Sequence, residues 1–234
     1  MTQTHPITHV IYDLDGILLD TEPLQTQVNR AIAHRYGKPF PRQVRSRVAG
    51  RTALDTARII TESLDLPLTP EAYTEERKAM IYGLYPDAQP LPGAVNLTKH
   101  LATQGIPQAV ATSSSGQPFR LKITHHQDWF SLFDCIVVGD DPELRQGKPA
   151  PDIFLIAAQR MDANPQNCLV FEDAIAGMEG AIAAGMSVVV VPNPEIERHH
   201  YDRADAIIDS LADFDPQVWG LPGFYSNCGE QLGQ

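Results

Sequence analysis

An α/β fold is predicted for this sequence: a doubly wound parallel sheet carrying a small inserted helical domain. Three observations predict it. Short β-branched and apolar runs recur at residues 10–12, 109–111, 135–138, 168–171 and 188–191. They are continuous rather than alternating, the pattern of strands buried on both faces. Helical patterns fill most of the spaces between them, so strand and helix alternate along the chain.

Val10, Ile11 and Tyr12 form the first predicted strand. From about Leu24 to Tyr85 no convincing strand follows. Leu24, Val28, Ala31 and Ile32 mark one amphipathic helix face, and Ala53, Ala57, Ile60 and Leu64 mark a second. Pro67 and Pro70 precede a third helix, on which Glu71, Glu75, Glu76 and Arg77 read as a solvated face. Pro86, Pro90 and Pro92 then return the chain to strand and helix. The expected domains are a core of residues 1–19 and 89–234 and a helical insertion of residues 20–88. The insertion is too short for much of a core by itself. It is expected to lean on the carboxyl edge of the sheet, where open α/β sheets place their sites. Further on, Pro151 is expected at the first position of the helix PDIFLIAAQRM. A small-residue helix over residues 174–184 is expected to end at Gly185 in a left-handed cap. Phe214, Trp219 and Leu221 are expected to dock on the body, and the polar tail from Pro222 to fray.

Composition bounds the function. The chain has 234 residues and a formal charge of -11, from 18 Lys+Arg against 29 Asp+Glu. That sign argues against a broad nucleic-acid or anionic-membrane surface. It leaves room for a small anionic substrate, because a metal and one lysine reverse the local sign. Cys135, Cys168 and Cys228 have no CxxC spacing and their number is odd, which fits a reducing cytoplasm. The longest apolar stretch, residues 181–191, is too short to span a bilayer. The start, MTQTHPITHV, lacks the basic and apolar parts of a signal peptide. A monomer or weak homodimer is expected.

The chemistry gathers at strand ends. Asp13-Leu14-Asp15-Gly16 leaves the first strand, and Glu172-Asp173 leaves the run CLVF. Asp and Gly are also common turn formers, so DxDG alone is as compatible with a turn as with a site. Two acidic pairs converging on one sheet edge would repel by several kcal/mol at an effective dielectric of about 20. Hard oxygen donors with no His or Cys point to Mg²⁺ as the cation that relieves this. Lys148, in GKP, and Thr112-Ser113-Ser114, after the run AVA, occupy loops at the same edge. Taken singly, each has an ordinary reading: a solvated lysine, or a helix N-cap for Ser114. There is no P-loop, nucleophile elbow, HExxH or glycine-rich dinucleotide fingerprint.

This ordered set resembles the haloacid dehalogenase (HAD) superfamily. The matching pieces are YDLDGILLDTE, VATSSS, GKPAPD and FEDAIAG, and the likeness runs from about Ile7 to Phe224. It implies a Rossmann-like core, with the helical insertion as a C1 cap. DGILLDTE, FSLFDCIVVGDDPE and FDPQVWGLPGF look most like the pseudouridine-5'-phosphatase and glycerol-3-phosphatase-like hydrolases. Many members carry Thr after DxDG, where Ile17 stands here, so no role transfers to that position. The resemblance implies Asp13 as nucleophile and Asp15 as acid and base. It implies Mg²⁺ held by Asp13, the Asp15 carbonyl, Glu172 and Asp173. Gly16, Thr112, Ser113 and Lys148 would hold phosphate, with Thr112 and Lys148 also counted as catalytic. Glu22 and Arg51 are candidates for substrate contact, and each also reads as an ordinary helix-start charge. Asp140 or Asp141 is a candidate second-layer contact, while His125, His126, His199 and His200 read as surface residues.

The function implied is Mg-dependent phosphomonoester hydrolysis of a small phosphorylated metabolite. The alternatives are a β-phosphoglucomutase-like phosphotransferase and a non-catalytic phosphometabolite-binding module. Asp15 argues against a dehalogenase, whose leaving halide needs no proton, and against a silent module.

Overall fold

The five apolar runs all become strands. The structure is a computed structural model and describes residues 5–48 and 53–224. Its strands in chain order are β1 (His9–Tyr12), β2 (Leu19–Asp20), β3 (Gln89–Pro90), β4 (Gln108–Ala111), β5 (Cys135–Val137), β6 (Cys168–Glu172), β7 (Ser187–Val190) and β8 (Ala206–Ile207). Six of them form one sheet in the order β5-β4-β1-β6-β7-β8, and every pairing in it is parallel. Ile11 faces Ala109 on one side and Val170 on the other. β1 is therefore central, and the chain reverses its direction of winding there. Such a switch point opens a crevice beyond the carboxyl ends of the strands.

The continuous runs have a simple packing cause. Val10, Tyr12, Val110, Leu169, Phe171 and Val189 belong to one buried cluster. Ile11, Ala109, Ala111, Val137, Val170, Val188 and Val190 belong to another. Successive residues thus enter opposite layers, and both layers are apolar.

The helices are α1 (Glu22–Arg35), α2 (Arg42–Val48), α3 (Ala53–Leu64), α4 (Pro70–Ile81), α5 (Ala94–Thr103), α6 (Gly116–Lys122), α7 (Gln127–Phe130), α8 (Asp152–Arg160) and α9 (Ile175–Ala183). The first four supply a third cluster with Val28, Ile32, Ala57, Ile60, Tyr73 and Ile81. Leu24 packs against both this cluster and the first sheet layer. The short antiparallel ribbon β2–β3, with Leu19 opposite Pro90, ties together the chain entering and leaving this helical block.

Several expectations need correction. Ala31 and Ala53 are exposed; Asn29 and Ala33 take the inner face of α1, and Thr56 and Thr61 that of α3. The Thr61 hydroxyl donates to the Ala57 carbonyl and the Asn29 amide oxygen accepts from Tyr73, so these faces are less apolar than a hydrophobic stripe implies. Pro151 is the N-cap of α8, one place before its expected position. Gly185 does adopt φ 75° after α9, and Phe214, Trp219 and Leu221 are buried. The short α2, β8 and ribbon strands were not anticipated. The tail beyond Phe224, Cys228 and the Gly50-Arg51-Thr52 stretch lie outside the described residues. No helix among the described residues is long and apolar enough to cross a membrane.

Candidate active site

Asp13 is the first residue past β1, and its N–H donates to the Phe171 carbonyl, continuing the ladder toward β6. Glu172 ends β6, and Asp173 follows it. This places carboxylate oxygens of Asp13, Glu172 and Asp173 all within 4.8 Å of one another. Lys148 comes from the loop before α8. Its Nζ donates to Asp13 Oδ1 at 2.6 Å, Glu172 Oε1 at 2.6 Å and the Ala111 carbonyl at 2.9 Å.

Two buried carboxylates share one ammonium here, with the half-buried Asp173 carboxylate beside them. Burial pushes the Asp13 carboxyl up, Lys148 pulls it down, and Glu172 and Asp15 push it up again. Asp173 is raised well above the usual carboxylate range, by burial first and then by Glu172 and Asp13. Lys148 is kept protonated: burial disfavours its charge, but Asp13 and Glu172 outweigh that. The donor set is all oxygen and carries excess negative charge, so these residues fit a hard divalent cation. Glu172 is already bonded through both oxygens, Oε1 to Lys148 and Oε2 to the N–H groups of Asp173 and Ala174.

Two glycines let the backbone come this close. Gly16 has φ 84°, and a Cβ there would lie 2.4 Å from Asp173 Oδ2. At Gly177 a Cβ would lie 1.9 Å from Glu172 Cδ. Tyr201 donates its hydroxyl to the Asp173 carbonyl at 2.7 Å, fixing the turn from behind.

A cavity of about 490 Å³ covers this cluster. Its core-side wall includes Asp13, Asp15, Gly16, Thr112, Ser113, Lys148 and Asp173. Its opposite wall comes from the helical block, with Glu22, Gln25, Asn29, Thr56 and Arg77.

A family model of the haloacid dehalogenase-like hydrolases matches residues 7–185. The chain belongs to this family. It is 46% identical over 223 residues to "(DL)-glycerol-3-phosphatase 2" of Arabidopsis thaliana, covering 93% of each chain. It is 42% identical over 221 residues to the "Probable pseudouridine-5'-phosphatase" of Drosophila melanogaster, covering 93% of this chain and 96% of the other. A crystal structure of a HAD hydrolase, family IA, variant 3, from Entamoeba histolytica superposes with a TM-score of 0.76. That pair shares 25% identity, over 91% of this chain and 97% of the other. The chain is an enzyme of the HAD phosphatase type.

In this HAD chain the second aspartate has a different setting from the first. Asp15 accepts at Oδ1 from Thr21 at 2.7 Å and at Oδ2 from Ser114 at 3.0 Å. Lys122 donates to both oxygens at 2.6 Å. Burial raises the Asp15 carboxyl, but the Lys122 charge and these bonds bring it below its ordinary value. The Asp15 side chain is therefore engaged away from the three-carboxylate cluster.

Of the other expected residues, Thr112 is buried and its Oγ1 accepts from the Ser114 N–H at 3.0 Å. Glu22 opens α1 and lines the cavity, and burial raises its carboxyl while a bond from Thr26 lowers it. Ser114 does not cap α6; Ser115 stands at that position, and Ser114 serves Asp15 instead. Asp140 accepts from the Gly116 N–H and Asp141 pairs with Arg160, so neither joins the cluster. Arg77 is not a solvated residue: it donates to Asn29 and Gln25 in the cavity wall. Glu76 bonds to Arg35 and Tyr36. His126 is half-buried, with Nε2 2.8 Å from the Ala88 carbonyl, whereas His125, His199 and His200 are exposed.

Lys122, Arg77, Thr21 and Tyr85 were missed. A signal existed for two of them. Lys122 lies three residues after buried Phe119, and Arg77 stands between buried Tyr73 and Ile81 at helical spacing. A cation on an inward face implies an inward partner.

Proposed function

We propose that this chain hydrolyses small phosphomonoesters through an aspartyl-phosphate on Asp13, with Mg²⁺ as cofactor. The observation that carries this reading is the sharing of Lys148 between Asp13 and Glu172, with Asp173 beside them in the same cavity. Asp13, Asp173 and the Asp15 carbonyl would hold Mg²⁺, with Glu172 beside it. When bound, the ion would offset the repulsion between carboxylate and phosphate.

The protein's own groups divide the work. An Asp13 carboxylate oxygen attacks phosphorus, and the bond from phosphorus to the alkyl oxygen breaks. Asp15, having taken up a proton from solvent, gives it to that leaving oxygen. Water then attacks phosphorus, Asp15 takes the proton, and the Asp13–phosphorus link breaks to release inorganic phosphate. Thr112, Ser113, Gly16 and Lys148 line the phosphate side, where fixed donors stabilise the transferring group.

Residues 20–88 act as the cap in this reading, and core residues 1–19 and 89–234 as the catalytic body. Gln25, Asn29, Thr56, Glu22 and Arg77 face the leaving group. Their polarity suits a polyol or sugar. Tyr85 is the aromatic lining residue among those described, and Lys122 lies 4.7 Å from its ring centroid. Glycerol 3-phosphate and sugar phosphates therefore fit better than the base of pseudouridine 5'-phosphate.

Release of phosphate from this panel, with p-nitrophenyl phosphate as reference, tests the reading. Asp13→Asn should abolish turnover while keeping the fold. Chelation should stop the wild type, and added Mg²⁺ should restore it. Turnover retained by the Asp13 variant would refute the nucleophile, and turnover unaffected by chelation would refute the metal requirement.

A further inference from the structure

We infer that Lys122 is a positioning residue for Asp15, holding that carboxylate toward the leaving-group side of the cavity. The inference rests on the reading of Asp15 as acid and base given above. Nothing in the nucleophile's own surroundings requires Lys122, because Asp13 and Glu172 already have Lys148.

The geometry is specific. Lys122 is the last residue of α6 and is only 3% exposed. An ammonium has three donors and no acceptor. Here they reach Asp15 Oδ1 and Oδ2 at 2.6 Å each and Ser114 Oγ at 2.7 Å. Ser114 in turn donates to Asp15 Oδ2, and Thr21 donates to Oδ1. Both carboxylate oxygens are thus held by two donors, which stops rotation of the group about its terminal bond. An isolated buried lysine is costly and needs a partner. The partner chosen here is the one acid proposed to move a proton.

The clamp also reaches the helical block. Thr21 sits immediately before α1, and Tyr85, whose ring lies beneath the Lys122 ammonium, follows α4. Contacts from both chain crossings between core and helical block therefore converge on the Asp15–Lys122 pair. General acid–base catalysis needs the transferring atom within hydrogen-bond reach of the reacting oxygen. A carboxylate free to turn would spend much of its time elsewhere.

The test compares wild type, Lys122→Met, Lys122→Arg, Asp15→Asn and the Asp15→Asn/Lys122→Met double variant. Each is assayed on glycerol 3-phosphate and on p-nitrophenyl phosphate, with circular dichroism and Tm as checks on folding. Methionine keeps the stem that packs beside Tyr85 but removes the charge and the donors. Lys122→Met should lower kcat on the alkyl phosphate about 100-fold, the scale of a lost acid–base contribution. KM should stay within about threefold, and p-nitrophenyl phosphate, whose leaving group needs no proton, should lose less than about tenfold. Lys122→Arg should show an intermediate loss, again confined to the alkyl phosphate. The double variant should be no slower than Asp15→Asn, because the lysine acts through that residue. Equal losses on the two substrates, losses that multiply in the double variant, or wild-type kcat in Lys122→Met would each overturn the inference. Should Lys122→Met fail to fold, Lys122→Arg decides: a loss confined to the alkyl phosphate supports the role, and an unselective loss or none overturns it. Absence of leaving-group selectivity in Asp15→Asn itself would overturn the acid role, and this inference with it.

Discussion

Replacing Gly177 by alanine is a test in which two physical effects predict opposite signs. Gly177 lies in the first turn of α9, where alanine would ordinarily stabilise a helix by roughly 1 kcal/mol over glycine. Its added Cβ would stand 1.9 Å from Glu172 Cδ and 2.0 Å from Oε1, where ordinary contact begins at 3.4 Å. The Glu172 carboxylate must therefore retreat by about 1.5 Å from the position in which it is now bonded. That movement breaks the 2.6 Å bond to Lys148. A lost charge-assisted hydrogen bond costs about 1.5–3 kcal/mol and overpacking about 1–3 kcal/mol. After the gain in helix propensity, Gly177→Ala should destabilise the protein by about 1.5–5 kcal/mol. Displacing Lys148 should also reduce kcat/KM at least about 100-fold. Urea denaturation and phosphate release measure the two effects. A variant as stable as wild type with activity within about threefold would refute the reasoning, because the close approach would then not fix Glu172.

Two further outcomes concern the scaffold. Tyr12 donates its hydroxyl to Gln108 Oε1 at 3.0 Å inside the first sheet layer, so Tyr12→Phe strands a buried acceptor. Denaturant melts should show a loss of about 1–2 kcal/mol. Asp141 is held by two bonds from Arg160, at 2.7 and 2.9 Å, which lower its carboxyl from the ordinary 3.8. The stability from a lowered carboxyl is present above its unfolded value and is lost as pH falls through its folded one. Asp141→Asn should therefore cost about 1 kcal/mol near neutral pH and progressively less below about pH 4, and an unchanging difference would contradict the pairing.

The sheet was legible because both its faces are buried, which turns each strand into an unbroken apolar run that a half-exposed strand would not show. The strand-end positions of Asp13, Thr112 and Glu172 were legible because each stands immediately beyond such a run. Parallel strands point all those ends the same way. What escaped detection has two causes. The ribbon strands and β8 are each two residues long, too short for periodicity to mark. Lys122 and Arg77 escaped because a charged residue on a helix reads as solvent-facing. Their partners are distant in sequence: Asp15 lies 107 positions from Lys122, and Asn29 lies 48 from Arg77. Ser114 reads as a cap because serine after a strand often starts a helix, and only the folded chain brings Asp15 against it.

Rapid acid quenching during turnover of ³²P-labelled phosphomonoester, followed by peptide mapping, tests the assignment of the nucleophile most directly. The account predicts acid-stable label on the peptide carrying Asp13, removable by hydroxylamine and absent from Asp13→Asn. Label on any other residue, or steady turnover with no labelled protein at any quench time, would contradict it.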